Sequence, residues 1–155
     1  MRDKRFIAQH RGGPLKKEEH YQLTVWAARC AGHVLPLLGD EIDDRLTNAL
    51  KVAHRWVEGG ASVGEARKAS VVSHQVAREL SDQTGIYVAR SVGHAVATAH
   101  MADHSLGAAW YALKAVKSAG KSVAAERKLQ DEELPLEIRE LVLTTREAKK
   151  FQSIN

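Results

Sequence analysis

The sequence predicts an all-α protein, a single domain built as a bundle of six to seven helices behind a short irregular N-terminal arm. Three observations predict it. Apolar residues recur at three- and four-residue intervals in successive windows. Proline or glycine separates most of those windows. Strand-like alternation never persists for more than a few residues. The length of 155 residues suits one domain with a sizeable core, and 44% hydrophobic with 27% charged residues are ordinary globular values.

Each element follows in order. Residues 1–16 form the arm, because Gly12, Gly13 and Pro14 break regular structure before the first helix. The bundle takes residues 17–150. Helix one covers 17–35, where Leu23, Trp26, Ala27, Cys30 and Val34 recur at helical spacing; Pro36 ends it. Helix two covers 43–58, with Leu46, Leu50, Ala53 and Val57 as its stripe and Gly59–Gly60 as its stop. Helix three opens on Ser62 and Glu65, an S-x-x-E capping box in which each side chain satisfies a free backbone N–H.

The stretch 84–119 contains no proline. As one rod it would measure about 50 Å, against a diameter of about 40 Å for a domain of this size. A break is therefore expected near Ala102–Ser105, with Asp103 or Ser105 capping the new helix. Shorter helices are expected over 122–132 and 136–149, separated by Pro135.

Charge and cysteine content exclude several classes. The net charge is +4, and acidic residues interleave with the basic ones. That balance suits a solvated mixed-charge surface better than a nucleic-acid patch, and no aromatic residues alternate with the basic ones to stack bases. Cys30 is alone, which rules out an internal disulfide and any cysteine zinc motif. Its apolar flanks make it an inert core thiol. The N-terminal residues lack the apolar run of a signal peptide. The segment SVGHAVATAHMADHSLGAAWYAL, residues 91–113, is too rich in His and Ala for a convincing membrane span. A cytoplasmic protein with no membrane partner is the expectation.

That segment also carries the candidate site. Asp103 is its only acid, and His94, His100 and His104 sit among Ala, Gly and Val. A helix polar on no face belongs at the centre of its domain, and buried imidazoles need hydrogen bonds, a metal or a ligand. On a helical wheel Gly93, Ala97, His100, His104, Gly107 and Tyr111 share a narrow stripe. His100 and His104, at i and i+4, are the weak candidates for a metal, with Asp103 placed to orient the His100 ring. His94 falls about 100° off the stripe on the same wheel. No H-E-x-x-H, E-x-x-H or cysteine partner accompanies the pair, so register-setting core histidines are favoured over a metal site and no cofactor is expected. The sequence offers no P-loop, dinucleotide fingerprint or nucleophile elbow, and no catalytic residue is assigned. Trp26, Trp56 and Trp110 fall on helix stripes, which points to core packing.

Four segments together resemble a bacterial family of small all-helical proteins labelled putative immunity proteins. They are RFIAQHRGGPL (Arg5 to Leu15), WAARCAGHVLPLL (Trp26 to Leu38), AHRWVEGGASVGEAR (Ala53 to Arg67) and GHAVATAHMADHSLGAAWYALKA (Gly93 to Ala115). The resemblance implies a non-catalytic protein that binds and neutralises a cognate bacterial toxin, with His94, His100, Asp103, His104 and Tyr111 as the candidate binding residues. Inhibitors of nuclease toxins are commonly acidic. A basic chain of this family implies either a toxin that is not a basic nuclease, or a locally acidic contact face at Asp40–Asp44 or Asp131–Glu133. Self-association into a homo-oligomer is left open. Two alternatives stand beside this reading: a histidine-based metal-binding protein or metal-dependent enzyme, and a basic helical nucleic-acid binder using the arm and the terminal lysines and arginines.

Overall fold

The computed structural model describes residues 2–155. Among them are seven α-helices and no strand: α1 (Lys17–Val34), α2 (Asp44–Val57), α3 (Val63–Glu79), α4 (Gln83–Ala97), α5 (His104–Ser118), α6 (Val123–Glu132) and α7 (Leu136–Ala148). The signals that end or start each helix act as the chemistry requires. Ser62 Oγ accepts the Glu65 N–H at 3.0 Å, and the Glu65 carboxylate faces the Ser62 N–H in return. Asp43 and Asp82 accept N–H groups in the first turns of α2 and α4, and Ser122 does so for α6. Gly59 and Gly120 follow α2 and α5 at positive φ, where a side chain would be strained.

The core lies in two clusters that meet along α1, α4 and α5. One joins Leu23, Trp26 and Val34 of α1 to Leu106 and Leu113 of α5 and to Ile138 and Val142 of α7. The other joins Ala27 and Ala31 of α1 to Leu46, Ala49 and Ala53 of α2, Ala66 and Val76 of α3, and Val92 and Val96 of α4. The second is rich in alanine, so its helices approach closely with little side chain between them. Ser70 and Ser91 confirm that approach: each donates across a helix pair to a backbone carbonyl, Ser70 to Gly93 at 3.0 Å and Ser91 to Ala108 at 2.8 Å. The low-charge segment therefore runs through the centre of the bundle.

The break in that segment is wider than expected and begins earlier. α4 ends at Ala97, residues 98–103 turn, and α5 starts at His104. The N–H groups of Thr98, Ala99 and His100 reach back three residues, a tightening that closes a helix. The Thr98 carbonyl, freed by this, accepts the His20 Nε2–H from α1 at 2.6 Å. Asp103 stands at the N-cap of α5, but its side chain makes no capping bond there. Ser105 donates to the Ala102 carbonyl instead. The turn folds α5 back antiparallel to α4, with Ser91 opposite Ala108 and Thr84 opposite Ser118.

The arm packs onto the bundle through two short 3-10 turns. Phe6 and Leu15 are buried in the first core cluster, Ala8 pairs with Leu15 in an isolated bridge, and the Arg5 guanidinium donates to the Thr144 and Thr145 hydroxyls of α7. Gly13 permits the turn, since a Cβ there would sit 2.0 Å from the Ile7 carbonyl oxygen. Of the tryptophans only Trp26 is fully buried, its indole N–H on the Gln130 carbonyl at 2.9 Å. Trp56 and Trp110 are partly buried and pack against the core clusters. Cys30 is fully buried, and burial pushes its thiol pKa well up, as befits an inert core group. No helix of the described residues is long and apolar enough to cross a membrane.

Candidate functional site

The turn between α4 and α5 gathers the histidines in a way that a straight-helix wheel cannot show. His94, which the wheel sets apart from the others, meets His104 directly: their Nδ1 atoms are 3.2 Å apart, so one ring donates to the other. The reason is the reversal at 98–103, which brings the end of α4 against the start of α5. Tyr111 stacks on His94 with ring centroids 5.3 Å apart and an interplanar angle of 19°. His100 lies 5.2 Å from His104 across the turn. The five expected residues are thus neighbours.

A sixth member was not among them. His74 of α3 stands edge-on to His94 at 5.3 Å, so four imidazoles form a ladder, His74–His94–His104–His100, across three elements. Two glycines make room for it. A Cβ at Gly93 would lie 2.8 Å from the His74 ring, and one at Gly107 would lie 2.6 Å from His94 Nδ1. Glycine inside a helix costs roughly 1 kcal/mol relative to alanine, so both positions trade helix stability for ring space. Those two glycines in an alanine-rich helical stretch are the signal by which the ladder could have been read.

The ladder is neutral. The Arg90 guanidinium, which can only donate, lies 2.8 Å from His74 Nδ1, so that nitrogen keeps its lone pair. Burial pushes the His74 pKa down to about 4, with Arg90 adding to it. His94 falls to about 4 through burial and then through its neighbours His104 and His74. His100 falls to about 4 for similar reasons, and His104 is also lowered by burial. Two imidazolium charges about 5 Å apart would repel by on the order of 3 kcal/mol at an effective dielectric constant near 20. Adjacent rings therefore do not both carry charge at neutral pH.

Asp103 does not orient His100. Among the described residues His100 Nδ1 and Asp103 Oδ1 have no hydrogen-bond partner, although both are shielded from solvent. The other Asp103 oxygen lies 3.7 Å from Arg2 Nε. The i, i+3 and i, i+4 relations among residues 100, 103 and 104 hold only on a continuous helix, and α5 begins at His104. Among the described residues no group of three or more His, Cys, Asp or Glu side chains is placed to hold a metal ion.

His94, Asp103 and His104 instead form one wall of an open cavity of about 400 Å³. Leu106, Gly107 and Trp110 of α5 continue it, and Lys149 and Phe151, just after α7, close the far side. Trp110 meets Phe151 edge-on at 5.1 Å. Aromatic faces, a lysine, a carboxylate and neutral imidazoles suit a partner's mixed polar and apolar side chains. His100 and Tyr111 support this wall from behind.

A second polar cluster was not expected at all. His33 of α1 bridges two carboxylates, with Nδ1 2.9 Å from Glu126 and Nε2 2.6 Å from Glu133. Glu126 is buried and also accepts from Gln130 Nε2 at 2.8 Å, while Gln130 Oε1 and Asp131 accept from the buried Arg146 of α7. The hydrogen bond to Glu126 raises the His33 pKa. This network joins α1, α6 and α7 internally, and it consumes Asp131 and Glu133 of one expected acidic face.

A family model described as an Imm-5 like putative immunity protein matches residues 13–137. The chain belongs to that family. The match covers α1 to α6, the whole histidine ladder and most of the cavity wall, and it stops before Lys149 and Phe151. Comparison with curated proteins and with solved structures gives no significant match.

Proposed function

We propose that this Imm-5 like protein binds and neutralises a cognate bacterial toxin in the cytoplasm, by occupying a surface of the toxin and without catalysis of its own. Membership of an immunity-protein family over residues 13–137 is the observation that carries this reading. The site proposed for the contact is the face around the α4–α5 turn, where His94, Asp103 and His104 line the cavity and His100 and Tyr111 back it. Partly buried Trp110, in the lining of the same cavity, adds support, because tryptophan concentrates binding energy where it can be desolvated. The whole chain is proposed to act as one domain, since the arm and the segment after α7 both pack into the core that α1 and α5 share.

The test is co-purification of the chain with the products of adjacent genes. A one-to-one complex that survives gel filtration is the expected result. Recovery of the chain alone from every pairing would remove the reading.

A further inference from the structure

Beside the candidate site, on the other side of Trp110, lies a second cavity of about 450 Å³ lined by Gln83, Tyr87, Trp110, Lys114, Lys117, Ser118, Ser153 and Ile154. Trp110 belongs to the lining of both cavities, so the two adjoin along α5. The chemistry of the second cavity is one-sided. No carboxylate side chain lines the second cavity. Among the described residues neither Lys114 nor Lys117 takes part in an ion pair. The Lys114 ammonium instead lies 5.7 Å from the centres of both the Tyr87 and the Trp110 rings. Ring faces hold a cation loosely, by about 0.5–1 kcal/mol at an exposed site, and leave its donors free. Trp110, Lys114 and Lys117 follow one another at i, i+4 and i+7, so they line one edge of α5. Ser153 and Gln83 add hydroxyl and amide donors at the same end.

We infer that this cleft docks an acidic segment of the partner protein, its carboxylates on Lys114 and Lys117 and its apolar atoms on Trp110 and Tyr87. The inference rests on the partner-binding reading and gives the partner's contact segment a sign. Two uncompensated lysines in a wall without acids repel a basic surface and attract an acidic one. The second cavity lies between α4, α5 and the residues after α7, and its Tyr87 and Trp110 faces offer a chain segment an apolar seat that a compact anion would not use.

The probe is a capped hexaglutamate peptide, read by the indole N–H resonance of Trp110, which Trp110→Phe identifies by its loss. Saturable shifts of that resonance are expected, weakening as salt rises because the attraction is screened. K114A/K117A should weaken binding by about tenfold or more, whereas K4A/K51A, outside the cleft, should leave it unchanged. The unfolding midpoint confirms that each variant is folded, and Lys117→Ala alone, at an exposed position, serves if the pair is not. Absence of a saturable shift, or equal binding by K114A/K117A, overturns the inference. So does inorganic phosphate competing as well as the peptide, which would make the cleft a small-anion site. A genuine complex with an adjacent gene product that is indifferent to K114E/K117E overturns the docking but leaves the partner-binding reading intact. Failure of every such complex removes that reading, while the peptide result still judges the cleft.

Discussion

At the scale of single residues, the ladder depends on what is missing as much as on what is present. Gly107 leaves the space that the His94 ring fills, and His94 cannot retreat because Tyr111 covers one face and His74 meets it edge-on. Gly107→Ala should gain helix propensity yet lose stability overall, by about 1–3 kcal/mol from overpacking. Chemical denaturation of the variant checks the sign: a gain would mean that the ring moves freely. The pH dependence follows from the same burial. Unfolded histidines take up protons near pH 6.5, whereas His74, His94 and His100 do so only near 4. Between those values the unfolded chain holds more protons, so stability rises with pH, and the ladder's contribution is lost as pH falls from about 6.5 towards 4. Imidazole proton resonances should titrate near 4 for these three rings. Titration near the ordinary value would contradict the buried ladder.

At the scale of elements, His33 fastens α6 to α1, and its pKa shift has the opposite sign. A raised pKa means that the folded state holds the proton more tightly, so the contribution is full below about 6.5 and fades as pH rises through the folded value. Glu126→Gln keeps the shape and removes the charge. It should destabilise the protein by about 1–3 kcal/mol and bring the His33 pKa back down, which a histidine titration reads directly. An unchanged His33 titration would show that Glu133 alone sets it. The helices themselves were legible in the sequence, because Pro36, Gly59, Ser62, Gly120, Ser122 and Pro135 act through local backbone chemistry that needs no tertiary knowledge. The length argument also found the interruption between α4 and α5. Its start at Ala97 escaped, because the partner that takes up the freed Thr98 carbonyl is His20, nearly eighty residues away. The meeting of His94 with His104 escaped for the same reason: a helical wheel continues straight through a turn. His33, Glu126 and Glu133 lie on two helices far apart in the chain, and no spacing rule joins them.

At the scale of the whole molecule, a net charge of +4 conceals an uneven surface. The acids of the 131–133 segment are partly drawn into the network with His33 and Arg146, while Lys114 and Lys117 stay unpaired beside the candidate site. The arm and the segment after α7 are folded into the core, and the Arg5 guanidinium is engaged with Asp3 and with the α7 threonines. The cavity at the α4–α5 turn combines partly buried Trp110 with a lysine, a carboxylate and neutral imidazoles, which suits the proposed protein partner. On the proposed function, the chain protects against a partner by binding it. The most direct measurement is growth of cells expressing the adjacent gene's product with and without this chain, with both proteins confirmed to accumulate. Restored growth, with a one-to-one complex in the same lysate, is the predicted result. Arrested growth despite full accumulation of the chain would contradict it.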